Sequence, residues 1–265
     1  MQGIQRTQGM RDTAGYAKVR RTAAAALIGA ALTAGTAGCG AGTQDKATPS
    51  ASQSHSHGQT QSPGGPPGPP GPPVEQLKAF ALAPGDKAGP YEATEPLLDE
   101  PMSELYEAKP EECGPLTSLG KAGHTAQAYA KTGVPGEWQA VGTDILLRSY
   151  KDGGSAAAMK ALAEAGRQCA GGYTEDRALA EGKVLKVEPV KAPALGDEAL
   201  AYRIVVQDVK DKDISLYKYL TVIRSGPVTL SFRSDAIDTK DFGGVPAEVV
   251  TAQWEKFAKA SGAAS

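Results

Sequence analysis

The chain has 265 residues, and 28 Lys and Arg against 30 Asp and Glu give it a formal net charge of −2. Because charges of both signs are interspersed and no basic stripe stands out, nucleic acid is not expected as a partner. Residues 75–265 are long enough to form one domain with a hydrophobic core of its own.

Residues 1–38 have the organisation of a signal peptide. A basic stretch ends at Arg20 and Arg21, and the uncharged stretch after it is too short and too weakly apolar to span a hydrocarbon core of ~30 Å. The small residues directly before Cys39 resemble the lipobox of bacterial lipoproteins. That resemblance implies cleavage before Cys39 and a lipid on its sulfur, which anchors the protein to the outer face of the cell membrane. The alternative is an unmodified thiol beside an ordinary cleavage site, and export by either the Sec or the twin-arginine route stays open.

Residues 39–74 form a predicted tether that is rich in Gly, Ser, Thr, Gln and Pro. Such a composition buries too little apolar surface to offset the entropy of ordering, so the sequence predicts disorder here. Three Gly-Pro-Pro triplets in residues 65–73 favour polyproline II, which makes a semi-rigid spacer. His55 and His57 have no third ligand nearby, so a polar linker is expected rather than a metal site.

Two cysteines, Cys113 and Cys169, are left once Cys39 is assigned to lipid. An even pair in an exported domain predicts a disulfide, with two buried free thiols as the alternative. Metal binding would need a further ligand close by, and none is suitably spaced, so no metal site is predicted.

The hydrophobic pattern predicts alternating elements along the domain. In chain order they are a strand at 77–82, a short helix at 111–119, strands at 125–131 and 144–150, a helix at 155–168, strands at 183–190, 200–207, 214–224 and 228–234, and a helix at 246–260.

The last four strands are joined by short connections, which favours antiparallel neighbours. Ser155 is the expected N-cap of the 155–168 helix, on which Met159, Leu162 and Cys169 share one face. The expected fold is α+β: an antiparallel sheet of five to seven strands, with two or three helices packed on one face and one disulfide.

Three aromatic residues are candidate ligand contacts. Tyr217 and Tyr219 lie on the opposite strand face from Leu216 and Leu220, where they would line a groove on an uncovered sheet face. Alternatively, they pack under the loop that carries Trp138.

Catalytic patterns are absent from the domain sequence. His124 is its only histidine, no Gly-x-Ser-x-Gly elbow or Ser-x-x-Lys motif occurs, and no phosphate-binding Gly-rich loop is present. Asp208, Asp211 and Asp213 crowd one turn but lack the Gly and Glu of a calcium loop, so a solvated turn is expected. We therefore predict a protein that is not an enzyme and has no cofactor.

The order of features resembles the PknH-like extracellular sensor domains of actinobacteria. The resemblance covers most of residues 77–260 and includes the early helix with Cys113, the 155–159 helix start, the Gln168-Cys169 pair, the 195–199 turn and the strand ending at 221–224. It implies a ligand-binding cleft over the sheet. Since neither a kinase domain nor a transmembrane helix is expected here, it also implies that any signalling passes through a partner.

Two functions follow as hypotheses. The first is a non-enzymatic lipoprotein that binds or senses a small molecule, glycan or lipid at the cell envelope. The alternative is a structural or interaction module that serves an envelope protein complex. A concave pocket would favour the first, and a large exposed apolar patch would favour the second.

Overall fold

A computed structural model describes residues 70–177 and 180–263. The predicted signal peptide, the lipid anchor Cys39 and the tether as far as residue 69 lie outside the described residues. At the start of the described part, the amide of Gly71 donates to the carbonyl of Tyr150, so the chain contacts the domain before its first helix begins.

Within the described ranges, ten strands and four α-helices form the domain. The strands are β1 (Lys87–Ala88), β2 (Tyr91–Thr94), β3 (Glu107–Lys109), β4 (Ala126–Gly133), β5 (Gly142–Ser149), β6 (Tyr173–Asp176), β7 (Glu181–Pro189), β8 (Glu198–Gln207), β9 (Ser215–Ser225) and β10 (Val228–Asp235). The helices are α1 (Val74–Phe80), α2 (Gly114–Thr117), α3 (Gly154–Gln168) and α4 (Ala247–Ser261), and single 3₁₀ turns lie at Met102–Leu105, Glu111–Cys113 and Gly120–Ala122.

All ten strands join one antiparallel sheet in the order β1-β2-β4-β5-β10-β9-β8-β7-β6-β3. The predicted antiparallel α+β class is confirmed, but the prediction of five to seven strands is too low. The unpredicted strands are β1, β2, β3 and β6, which are two to four residues long. Each has only one or two buried residues and is too short for a period of two to be recognised in the sequence.

The two hydrophobic cores lie on opposite faces of the sheet. Phe232 of β10 belongs to the core under α1 and α4, whereas its neighbour Arg233 points to the other face and lies opposite Leu220 of β9. Leu220 belongs to the second core, under α2 and α3. The prediction that the helices pack on one face is therefore wrong: α1 and α4 cover one face, and α2 and α3 cover the other. We call these the α1/α4 face and the α2/α3 face.

The predicted strand at 77–82 is a helix. α1 begins directly after Pro73 and buries Leu77 completely. Leu77, Phe80 and Ala81 are spaced as one helical stripe. A short apolar run of this kind is compatible with a helix or a strand, and its tertiary contacts decide between the two. Here Gln253 of α4 binds the end of the helix: its side chain accepts from the Leu82 amide at 2.9 Å and donates to the Phe80 carbonyl at 2.8 Å.

Ser155 does not cap α3. The N-cap is Gly153 in the left-handed conformation, with φ of 77°, and the Ser155 hydroxyl instead donates to the Gly226 carbonyl at 2.8 Å. The side chain thus attaches the start of α3 to the β9–β10 turn. Helix-capping preferences concern neighbouring residues, so they do not predict this long-range contact.

The predicted disulfide is confirmed. Cys113 and Cys169 are joined with a Cα–Cα distance of 5.9 Å, and both are buried in the core of the α2/α3 face. Cys169 is the C-cap of α3, so the bridge fastens the start of α2 to the end of α3.

No helix in the described part of the chain is both long and apolar enough to cross a membrane.

Candidate functional site

An open groove crosses the α2/α3 face at the β4–β5 end of the sheet. It consists of two adjoining hollows that share Thr94, Lys131, Asp144 and Asp235. The turn hollow, about 560 Å³, lies beside the β4–β5 turn at residues 133–140. The segment hollow, about 500 Å³, lies under the irregular segment at residues 94–106.

Five charged side chains from four strands form the floor of the groove, and we call them the charge row. They are Lys131 of β4, Asp144 of β5, Arg233 and Asp235 of β10, and Lys218 of β9. The strand register places them as cross-strand neighbours of alternating sign: Lys131 lies opposite Asp144, Asp144 opposite Arg233, and Asp235 opposite Lys218.

No two members of the charge row approach within 4 Å as an ion pair in the described part of the chain. The Arg233 guanidinium donates instead to the carbonyls of Leu116 and Thr117, at 2.8 and 2.7 Å. In the described ranges, the side chains of Lys131, Lys218 and Asp235 make no hydrogen bond or ion pair, so these three charges are available to a group in the groove.

Burial perturbs two members of the charge row. It lowers the pKa of the Lys218 ammonium, an effect that the Asp235 and Glu175 carboxylates oppose. It raises the pKa of the Asp144 carboxyl, which accepts a hydrogen bond from the Tyr129 hydroxyl. Desolvated charges without an ion-pair partner are costly in a purely structural role, so they favour a binding role for this floor.

A buried ion pair fixes the segment that roofs the groove. The Glu104 carboxylate accepts from the Arg148 guanidinium and from the Ser118 hydroxyl. The Arg148 and Glu104 side chains are only 1% and 5% exposed, and Arg148 also donates to Gln127 at 2.7 Å. Glu104 thus ties the 3₁₀ turn at Met102–Leu105 to β5.

Exposed apolar side chains border both hollows. Leu97 is 99% exposed beside the segment hollow, near the partly exposed Leu98 and Met102. Trp138 and Ile237 are 74% and 69% exposed beside the turn hollow. Isolated exposed apolar residues need no explanation, but five around one concavity mark a contact surface.

The structure separates the three aromatic candidates. Trp138 lies in the groove, whereas Tyr217 and Tyr219 point to the α1/α4 face. The Tyr219 hydroxyl donates to Asp241 at 2.6 Å, and Tyr219 lines a separate cavity of about 390 Å³. The guanidinium of Arg203 lies 4.7 Å from the centre of the Tyr217 ring. Neither tyrosine packs under the Trp138 loop.

Sequence reasoning missed the charge row. Its members occupy the polar positions of alternating strands, and such positions ordinarily face solvent. The only available indication was that polar residues of both signs recur on β4, β5, β9 and β10. Their convergence depends on the pairing of β5 with β10, whose sequences are far apart.

Two other candidates from the sequence, His124 and Asp208, contact the backbone of their own loops. His124 is half-buried, its Nδ1 lies 3.1 Å from the Gly120 carbonyl, and burial together with Arg148 lowers its pKa. In the β8–β9 turn, the Asp208 carboxylate accepts from the Lys210 and Asp211 amides at 2.8 Å. No cluster of His, Cys, Asp or Glu able to hold a metal ion occurs in residues 70–177 and 180–263.

The fold and site together define an antiparallel α+β domain with an open, charged groove on one sheet face. The fold is similar to that of the extracellular domain of PknH from Mycobacterium tuberculosis, with a TM-score of 0.50 and 10% sequence identity over 72% of this chain and 98% of that one. An uncharacterized protein from Mycobacterium smegmatis aligns with a TM-score of 0.34 and 13% identity over 72% of this chain and 94% of that one. The sequence matches no family model and no curated protein. The resemblance to PknH-like domains is confirmed at the level of the fold.

Proposed function

We propose that this chain is an exported lipoprotein, anchored to the outer face of the cell membrane through Cys39, whose domain binds a small molecule, glycan or lipid without transforming it. The charge row carries the binding part of this proposal, since these charges lie in a concave site without ion-pair partners. The similarity to an extracellular domain supports a location outside the cytoplasm.

Native mass spectrometry tests the binding role. The full chain, expressed in an actinobacterial host and released in detergent, is expected to carry a discrete bound mass that denaturation removes. An Asp144→Ala, Lys218→Met double variant should lose that mass because both changes lie in the groove, whereas Lys160→Met on the exposed surface of α3 should keep it. A wild-type protein without any adduct, or an adduct that survives in the groove variant, would contradict the proposal.

The lipid anchor predicts a change of cell fraction. Cys39→Ala removes the sulfur to which lipid is attached, so the protein should move from the membrane fraction to the soluble or secreted fraction. Fractionation and detergent partitioning with Triton X-114 measure the change, and Cys39→Ala is compared with wild type at equal expression. A variant that still enters the detergent phase would show that the anchor lies elsewhere.

A second function has one observation in its favour. The exposed apolar side chains around the groove, Leu97 and Trp138 above all, also suit an interaction module for an envelope protein complex. Cross-linking in intact cells separates the two: a protein partner captured through the groove rim, together with an empty groove, favours the module.

A further inference from the structure

A further concavity lies on the α1/α4 face, and we call it the α4 cavity. Its volume is about 390 Å³, and the sheet separates its floor from the charged groove. Three neighbouring chain segments form the floor: Val190 directly after β7, Ala201 of β8 and Thr221 of β9. The Val190 amide donates to the Ala201 carbonyl at 3.0 Å, and Ala201 lies opposite Thr221. Since neighbouring strands are about 4.8 Å apart, the floor spans about 10 Å from Val190 to Thr221.

The walls of the α4 cavity come from the first turn of α4 and from two loops. Val250 represents α4, Pro193 and Leu195 belong to the β7–β8 connection, and Val245 belongs to the loop before α4. These side chains are apolar, so the cavity offers mainly hydrophobic contacts to a ligand.

The loop before α4 is fixed by Asp241. Its carboxylate accepts from the Tyr219 hydroxyl at 2.6 Å, from Arg203 Nε at 2.7 Å and from the Gly243 amide at 3.0 Å. Arg203 is in turn paired with Glu188 at 2.5 Å. This wall is therefore held in place without a ligand, as is typical of small-molecule sites.

Charge is nearly absent from the lining of the α4 cavity. Among the described residues that line it, Lys191 alone is charged, and it is exposed beside Val190, where water and salt screen it. A charged ligand group inside the cavity would lose its hydration without gaining a counter-charge. The lining thus favours a neutral, largely apolar molecule.

Thr221 places an unpartnered hydroxyl in the floor of the cavity. The residue is only 6% exposed, and its side chain makes no hydrogen bond in the described part of the chain. Its oxygen is not fully enclosed, in contrast to that of Thr132, so it faces the cavity. The fold alone favours valine at such a position, because a buried hydroxyl without a partner costs stability. A ligand oxygen would supply that partner.

We propose that the α4 cavity is a second ligand site, for a neutral apolar molecule with one oxygen that forms a hydrogen bond with Thr221. The apolar body, a ring or chain, lies over Ala201 between α4 and the β7–β8 connection. Its hydroxyl or carbonyl oxygen lies at the β9 end of the floor. A fatty acid fits less well, because only the exposed Lys191 would balance its carboxylate. The domain then has two separate sites, with a charged groove on one face of the sheet and an apolar cavity on the other.

Equilibrium dialysis with three naphthalene derivatives tests the inference. The probes are 2-naphthol, which is neutral at neutral pH and has one hydroxyl, 2-methylnaphthalene, which has no oxygen, and 2-naphthoate, which is charged. The full chain with Cys39→Ala is used, because a chain without the lipid needs no detergent, which would compete for an apolar site. 2-Naphthol should bind about tenfold more tightly than 2-naphthoate, since burying an unpaired carboxylate costs more than burying a hydrogen-bonded hydroxyl.

Thr221→Val removes the hydroxyl at nearly constant shape. The ratio of the 2-naphthol affinity to the 2-methylnaphthalene affinity should fall about tenfold, because only 2-naphthol loses a hydrogen bond. Thr229→Val makes the same change opposite Arg148 on the α2/α3 face and should leave the ratio unchanged. Thr221→Val should melt no lower than wild type, because its hydroxyl has no partner in the free protein.

Each of four results would overturn the inference. These are no binding of 2-naphthol, equal binding of 2-naphthol and 2-naphthoate, an unchanged affinity ratio in Thr221→Val, and a lower melting temperature of that variant. The Asp144→Ala, Lys218→Met variant should bind 2-naphthol as wild type does, and loss of binding there would place the probe in the groove instead. The groove is tested separately by its co-purified mass, so either site can fail while the other stands.

Discussion

Replacing Cys113 and Cys169 together by alanine is expected to lower the free energy of unfolding by about 4 kcal/mol, because the bridge closes a long loop. The two cysteines are 56 residues apart, and the crosslink removes the corresponding loop entropy from the unfolded chain. For a domain of this size the melting temperature should fall by roughly 8–16 °C. Urea denaturation of the oxidised wild type and the double variant measures the difference.

The double variant is preferable to either single one. Both positions are buried, so a single replacement would leave an unpaired thiol and a reactive partner in the core. Reductant provides the control: it should destabilise wild type and leave the double variant unchanged. If the two proteins unfold at the same urea concentration under oxidising conditions, the bridge is not a significant source of stability.

Glu104→Ala is expected to cost about 3–5 kcal/mol of unfolding free energy, because it leaves the Arg148 charge buried without its partner. Arg148 already has one guanidinium nitrogen, Nη1, that is buried without a hydrogen bond, so little compensation is available nearby. Ser118 loses its acceptor at the same time. Chemical denaturation of the variant against wild type gives the cost.

Two comparisons show whether the cost comes from a buried charge. Glu107→Ala is the matched control: Glu107 lies close in the chain, but its pair with Lys121 is 3.9 Å long and exposed, so about 0–1 kcal/mol is expected. A Glu104→Leu, Arg148→Met double variant removes both charges and should recover most of the loss. Equal effects of Glu104→Ala and Glu107→Ala would refute a special role for the buried pair.

The disulfide and the Glu104–Arg148 ion pair hold neighbouring segments of the chain in place. The disulfide attaches Cys113 to α3, and Glu104 attaches the preceding 3₁₀ turn to β5. A third contact is made by Arg233 of the charge row, which donates to the last carbonyls of α2. The Glu104 carboxylate also accepts from the Ser118 hydroxyl directly after α2, so it joins the roof of the groove to the region that the disulfide and Arg233 hold in place. Such fixation preorganises the site and lowers the entropy lost on binding.

Long elements follow from the sequence because their periodicity reports one-sided burial. β8 and β10 alternate apolar and polar residues, and α3 and α4 carry apolar stripes at helical spacing, so their positions were predicted within a few residues. The short edge strands have too few residues to show a period. They exist as strands because a neighbouring strand pairs with them, as β4 does with β2.

The groove likewise combines residues that the sequence shows with an arrangement that only strand pairing produces. From the sequence, Asp144 and Lys218 are polar positions in alternating strands, indistinguishable from residues that face solvent. Pairing across β5, β10 and β9 brings them to one floor, and the Glu104–Arg148 pair brings the roof over it. Of the three aromatic residues that were predicted as ligand contacts, Trp138 lies in the groove, whereas Tyr217 and Tyr219 lie on the other face of the sheet.

By itself, the sequence determined the antiparallel α+β class, the pairing of its two domain cysteines and the long elements, since these depend on local periodicity and on composition. The tertiary structure alone decided the strand order, the division of the helices between the two faces and the convergence of the charge row. Those features depend on contacts between segments far apart in the chain, such as β5 with β10 and Glu104 with Arg148. A local pattern records whether a side chain is buried, but not which distant residue buries it.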